Sequence, residues 1–174
     1  MTPRKASLAL FAACLTAIAV VSASSAELAF QDVLYVSPDG VIGAADTSCG
    51  SAAYSRVQAA VDAATASRTV VVCRGSYKED VVISAPLKLV GQKGAVIHGS
   101  PSANALCDQN GPFGPGSAPC LAGITVKSSN VAVRGLTVTD AIGEGILVTG
   151  SLSGHSIGHV LIRGNRVVGN DEDG

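Results

Sequence analysis

The chain has no tryptophan, three tyrosines and three phenylalanines, so aromatic rings make up only 3% of its residues. Hydrophobic residues nevertheless reach 47%, and any core must therefore be built from Val, Ile, Leu and Ala. Charge is scarce too: 14% of residues are Asp, Glu, Lys or Arg, and they nearly cancel to −1. That balance lacks the basic surplus that draws nucleic acids or anionic membranes, so neither is expected as a partner. No Cys-x-x-Cys pair occurs, which removes the usual signature of a structural zinc site. Asn-Gly, the strongest two-residue hairpin signal, is found once, at 110–111. A meander of tight hairpins is excluded on that ground.

One apolar run stands out, Leu8 to Val21, preceded by Arg4 and Lys5 and followed by Ser24-Ser25-Ala26. A positive region, a short apolar segment and small residues at the −3 and −1 positions read as a signal peptide over 1–26, cleaved after Ala26. The run is short for a bilayer span, and Phe11-Ala12-Ala13-Cys14 is a poor lipidation signal. Cleavage removes two basic residues and no acid, leaving ten basic and thirteen acidic residues, a net charge of −3. The expected location is secreted and extracellular, with no membrane contact afterwards. Cys49, Cys73, Cys107 and Cys120 then remain. An even count in an exported chain reads as two disulfides, and four cysteines allow three pairings. The local pairing, Cys49–Cys73 with Cys107–Cys120, is preferred. Its second bond would close 107-CDQNGPFGPGSAPC-120, a Gly/Pro loop with little else to order it, and closing such a loop contributes about 3 kcal/mol.

The remainder, 27–174, reads as one domain of short strands. Leu34 to Val36 is a first strand, ended by Ser37-Pro38-Asp39-Gly40. The segment 54-YSRVQAAVDAATASRT-69 is the single convincing helix. Tyr54, Val57, Val61 and Ala64 fall on one helical face, and Ser55 with Gln58 has the spacing of a capping box. Strands follow at 69–73, 81–83, 87–91, 95–99 and 123–126, with Arg74 to Tyr77 read as a turn and Pro86 as a breaker. Then 131-VAVRGLTVTD-140 returns as 160-VLIRGNRVVG-169, offset by 29, with Val131/Val160, Arg134/Arg163, Gly135/Gly164 and Val138/Val167 identical. Alternation puts Val131 and Val133 on one face and Ala132 and Arg134 on the other. Gly135 turns a corner, after which Leu136 and Val138 begin a new inward face. Short strand, corner, short strand, repeated every 20 to 30 residues, predicts an all-β parallel solenoid whose circuits bury their inner residues by stacking. The same offset sets Gly145 over Gly174. The strand expected after Gly174, by analogy with Ile146 to Val148, is therefore missing, and the domain reads as C-terminally incomplete.

The stretch from 54 to 100 carries Val57-Gln58, Ala60 to Ala64, Gly75-x-Tyr77-x-Glu79 and Leu87-x-Leu89-Val90-Gly91. It resembles the opening of exported right-handed parallel β-helix proteins: pectate-lyase-like enzymes, pectin methylesterases and NosD-like β-helix repeat proteins. The resemblance runs from Leu34 to the end. It implies a single-stranded right-handed β-helix with an N-terminal capping helix that covers the otherwise unpaired sheet edges. Two functional classes follow from it. One is an extracellular protein that binds or processes polysaccharide along its coil surface, lyase-like if catalytic. The other is a non-catalytic scaffold or adhesin of the NosD-like kind. The Gln-Asp and Asp-Phe-x-Phe-Gly motifs of the methylesterases are absent, and no complete catalytic set is found.

Several residues are candidates within that frame. Arg134 and Arg163, stacked by the 29-residue offset, would hold a polyuronate carboxylate between two guanidinium groups. Glu144 and Asp173, stacked likewise beside Asp140, Asp171 and Glu172, would supply oxygens to a Ca²⁺ ion. A lyase needs such a cation to neutralise the uronate. His98, His155 and His159 are titratable near neutrality, but the 155/159 spacing falls in a Gly/Ser loop and carries no metal signal. Asn165, where the first copy has Leu136, reads as a structural corner residue. Tyr35, Tyr77 and Phe113 are the aromatic platforms available to a sugar, with Tyr77 expected to pack the first circuit instead.

Overall fold

The computed structural model describes residues 32–64, 67–99, 122–150, 154 and 156–170. The segment 1–26 expected to be a signal peptide, and Cys107, Cys120, Phe113, His155, Asp171, Glu172 and Asp173, lie outside the described residues. Twelve described strands form three sheets, all parallel. The first sheet takes β1 (Val33–Val36), β2 (Arg68–Val72), β5 (Leu87–Gly91), β8 (Ala132–Arg134) and β11 (Leu161–Arg163), in that order. The second takes β3 (Gly75–Lys78), β6 (Ala95–His98), β9 (Thr137–Thr139) and β12 (Arg166–Val167); the third takes β4 (Val81–Ile83), β7 (Ile124–Val126) and β10 (Ile146–Val148). The chain thus visits first, second and third sheet in rotation, and each visit pairs with the one before. Such an order is compatible with a solenoid.

Registers set the period. Arg68 faces Leu87 and Gly75 faces Ala95, offsets of 19 and 20 residues. Ile124 faces Ile146, an offset of 22. Ala132 faces Leu161 and Thr137 faces Arg166, the 29-residue offset expected from the repeat. Gly135 and Gly164 adopt φ of +70° and +66°, a region that side chains with a Cβ rarely tolerate. A Cβ on Gly135 would also come within 2.6 Å of the Gly91 carbonyl oxygen. The positive φ is common to both copies and explains why the corner glycine recurs, while the close approach applies to Gly135 alone, since a Cβ on Gly164 would meet nothing within 4 Å.

Alternation delivers the core. Leu34, Val70, Leu89 and Val133 stand in one inward column and are buried. Tyr77, Ile97 and Val138 form another on the second sheet. At the far end Ile162 and Val168 remain 40% and 39% exposed. Leu136 and Val138 are buried beyond the corner, as the repeat implies.

Two expectations are corrected. Arg74 to Tyr77 is not a turn: Gly75–Lys78 is β3, because Tyr77 points inward and is fixed there, its hydroxyl shared between the Val36 and Cys73 carbonyls at 3.0 and 2.9 Å. The helix is shorter than 54–69 and has no capping box. α1 spans Val57–Ala63, its N-cap is Arg56, and no N-cap side chain bonds to it. Glu79 supplies the cap from across the fold, accepting from Val57 N at 2.7 Å and Gln58 N at 3.0 Å. A carboxylate takes two orphan donors and complements the positive helix end better than a hydroxyl does. Gln58 is thereby released for other work. Its Oε1 accepts from Val82 N at 2.7 Å, and its Nε2 donates to Val82 O at 3.1 Å. Val81 and Ile83 bond toward β7, so Val82 faces the free edge of the third sheet. One amide side chain there substitutes for a missing strand. Tyr54, expected on the helix face, lies outside the helix and bridges to Val36.

Burial pushes the Tyr77 phenol up to about 12, helped by the Glu79 and then the Asp39 carboxylate. The unfolded chain ionises near 10, so the folded state is favoured below that value and loses ground as pH rises toward about 12. Urea unfolding between these limits is expected to show a stability loss on the order of 2 kcal/mol, which Tyr77→Phe flattens. Replacing Gln58 by Ala strands both Val82 backbone groups and is expected to cost about 1–3 kcal/mol, measured as the shift in denaturant midpoint.

Candidate functional site

The outer face of the first sheet carries two columns. One runs Tyr35, Val71, Val90, Arg134, Arg163, and the other Val33, Thr69, Lys88, Ala132, Leu161. Arg134 and Arg163 are direct register partners on adjacent strands, about 4.8 Å apart along the stacking direction. Both are exposed. The ion pairs among the described residues are Arg56–Glu79 and His98–Asp140, so neither stacked arginine is neutralised by one. Two like charges held one strand apart repel, and an anion lying across them relieves that repulsion. Lys88 is exposed on the same face. The fork of a guanidinium suits a carboxylate in two-point contact, and the strand repeat fixes the spacing between forks.

The second sheet carries a pair that the residues alone did not bring together. His98 Nδ1 lies 2.6 Å from Asp140 Oδ2, with side chains 30% and 59% exposed. His98 faces Thr139 in register, and Asp140 follows at a corner with φ of +62°. Both residues were candidates, yet 42 positions separate them. Only the register across β6 and β9 shows that they meet. A carboxylate on one ring nitrogen orients the imidazole and fixes its tautomer, leaving the other nitrogen for proton transfer.

The remaining expectations separate cleanly. Cys49 and Cys73 form a disulfide with Cα atoms 5.7 Å apart; the Cys107–Cys120 expectation falls outside the described residues. Glu144 is half-buried, while its expected partner Asp173 is outside them. No group of three or more His, Cys, Asp or Glu side chains able to hold a metal occurs among the described residues. His159 is exposed at φ of +57°. Tyr77 is 3% exposed and closed to a sugar, as expected, whereas Tyr35 is half-exposed at one end of the arginine column. Asn165 is structural: its Oδ1 accepts from Leu136 N and its Nδ2 donates to Val133 O, each at 3.0 Å. Asn170 repeats the device, accepting from Ala141 N at 3.0 Å. No helix among the described residues is long and apolar enough to cross a membrane.

No family model matches the chain, and a search of curated proteins finds no match either.

Asp140→Asn is expected to shift the unfolding free energy by less than about 1 kcal/mol, because the pair is largely solvated. Asn165→Ala is expected to cost about 1–3 kcal/mol, because it unpairs two backbone groups. Equilibrium denaturation of the two variants side by side checks the contrast.

Proposed function

We propose that the protein is an exported right-handed parallel β-helix that binds an acidic polysaccharide along the outer face of its first sheet. The observation that carries this reading is the in-register pair Arg134 and Arg163, exposed and free of ion pairs among the described residues. The rotation of the chain through three parallel sheets supports a solenoid, and parallel crossovers are right-handed in nearly all proteins. The Cys49–Cys73 disulfide supports an oxidising, extracytoplasmic setting. A polyuronate suits such a surface. Its carboxylates recur along an extended chain, and the stacked guanidinium groups offer charge-assisted hydrogen bonds at a strand-spaced repeat. Tyr35 at the end of the same column adds an aromatic face.

A second reading rests on the His98–Asp140 pair. A lyase-like protein would use His98 as the base that takes the proton α to a uronate carboxylate. The electron pair would form the new C=C bond as the glycosidic C–O bond breaks, and the departing oxygen would take up a proton. Ca²⁺ would be the cation that neutralises the uronate, as expected for Glu144 with Asp173. The non-catalytic scaffold or adhesin is the same surface without that step.

Titration calorimetry with pectate, alginate and a neutral glucan tests the binding. Polyuronates are expected to bind and the glucan not to. Arg134→Ala and Arg163→Ala are each expected to weaken binding by about tenfold, with a steep loss on adding salt. Retention of full affinity in the double variant would overturn the reading. Ultraviolet absorbance of unsaturated product, with and without Ca²⁺, separates the enzyme from the scaffold. Product lost in His98→Ala supports the lyase, and binding without product supports the scaffold.

A further inference from the structure

The segment between β1 and α1 carries a buried acid that the edge of the first sheet only half uses. Asp46 is 6% exposed, with φ of +51°. Its Oδ1 accepts from Tyr35 N and Ala53 N, both at 3.0 Å. Its Oδ2 is buried with no hydrogen-bond partner. No basic side chain pairs with Asp46 among the described residues. A carboxylate taken out of water with one oxygen bare is among the costliest groups a fold can hold, and such an atom calls for an ion or a water. Asp46 also lines a cavity of about 260 Å³ together with Asp32, Val33, Tyr35 and Thr47. Asp32 is an exposed second carboxylate, and Thr47 adds a hydroxyl that already bonds to Ser51 Oγ at 3.1 Å.

We propose that this cavity is a divalent-cation site, with Asp46 Oδ2 as the buried ligand, Asp32 as the second carboxylate, and hydroxyl, carbonyl and water oxygens completing the shell. The donors are all oxygen, with no thiolate or imidazole on the cavity wall. That chemistry selects a hard cation of the calcium type over zinc. Two carboxylates balance the two charges of the ion. The site lies at the β1 end of the face that carries the arginines, three strands from Arg134 and sharing Tyr35 with that column, and it uses none of the residues of the Glu144 region considered for a lyase. The Cys49–Cys73 disulfide ties the segment that holds Asp46 to the residue after β2, so the ligands are set in place before the ion arrives. Bound cation would fasten the 41–53 segment to the first strand.

The test uses the whole oxidised chain, freed of metal with a chelator and titrated with CaCl₂ by calorimetry, with thermal unfolding followed in parallel. One site is expected, of dissociation constant about 10⁻⁴–10⁻³ M, with an unfolding midpoint that rises with Ca²⁺. Asp46→Asn keeps Oδ1 for Tyr35 and Ala53 but replaces the bare anionic oxygen, and is expected to weaken binding at least about tenfold. Asp32→Asn changes only an exposed group, folds as the parent does, and is expected to weaken binding by a similar factor. Asp62→Asn, an exposed acid on α1, is expected to leave it unchanged. No heat and no midpoint shift up to about 10 mM Ca²⁺ in the folded parent would overturn the proposal. So would parent-like binding by both Asp46→Asn and Asp32→Asn, or loss of binding in Asp62→Asn alone.

Discussion

Edge strands and corners leave backbone donors and acceptors without a strand neighbour, and side chains supply partners at two described edges, β1 and β4, and at the corners after β8 and β9. At one end Gln58 brackets Val82, Glu79 closes α1, and Asp46 takes the Tyr35 amide. Toward the other end Asn165 and Asn170 bracket the corners after β8 and β9. An unpaired buried backbone group costs about 1–3 kcal/mol, a large fraction of the stability of a domain this size. The inward columns of Val, Leu and Ile supply the bulk of the burial. They stay in register because edge slippage would break these single-residue pairings.

The same constraint arranges the surface. Strands stacked with zero shift repeat whatever the outer face carries, so one arginine per strand becomes a column of charge. Arg134 and Arg163 are therefore exposed side by side, with no ion-pair partner among the described residues. The corners are held by left-handed glycines, Gly135 and Gly164, which let each short strand hand over to the next sheet without a bulky turn.

The residues made much of this legible. A 29-residue offset between 131–140 and 160–169 carried the register of the last two circuits to the residue, and Val/Ile/Leu alternation carried the inward faces. The glycine corner was readable because only that residue type repeats there at no loss. Four things were hidden. The Ser55/Gln58 spacing looks like a capping box, but Glu79, 22 positions from Val57, outcompetes the hydroxyl; local spacing cannot reveal a partner from the next strand. Arg74 to Tyr77 reads as a turn because Arg-Gly-Ser is turn-rich, while Tyr77's hydroxyl bonds to Val36 and Cys73 draw it into the core. The His98–Asp140 contact depends on the register of β6 with β9, whose 41-residue offset exceeds the neighbouring 20 and 29 and is not announced by any repeat. Asp46 was invisible for a related reason: its worth lies in an edge amide and a bare oxygen, not in a motif.

Residue-resolved amide hydrogen exchange on the oxidised chain tests the edge account most directly. Val82 and Leu136 amides are bonded to side-chain amide oxygens alone, Gln58 Oε1 and Asn165 Oδ1. If those side chains complete the sheets, both amides exchange as slowly as interior ladder amides such as Cys73, which is bonded to Val36 O. Exchange at the rate of an open strand edge, with the interior amides still protected, would contradict it.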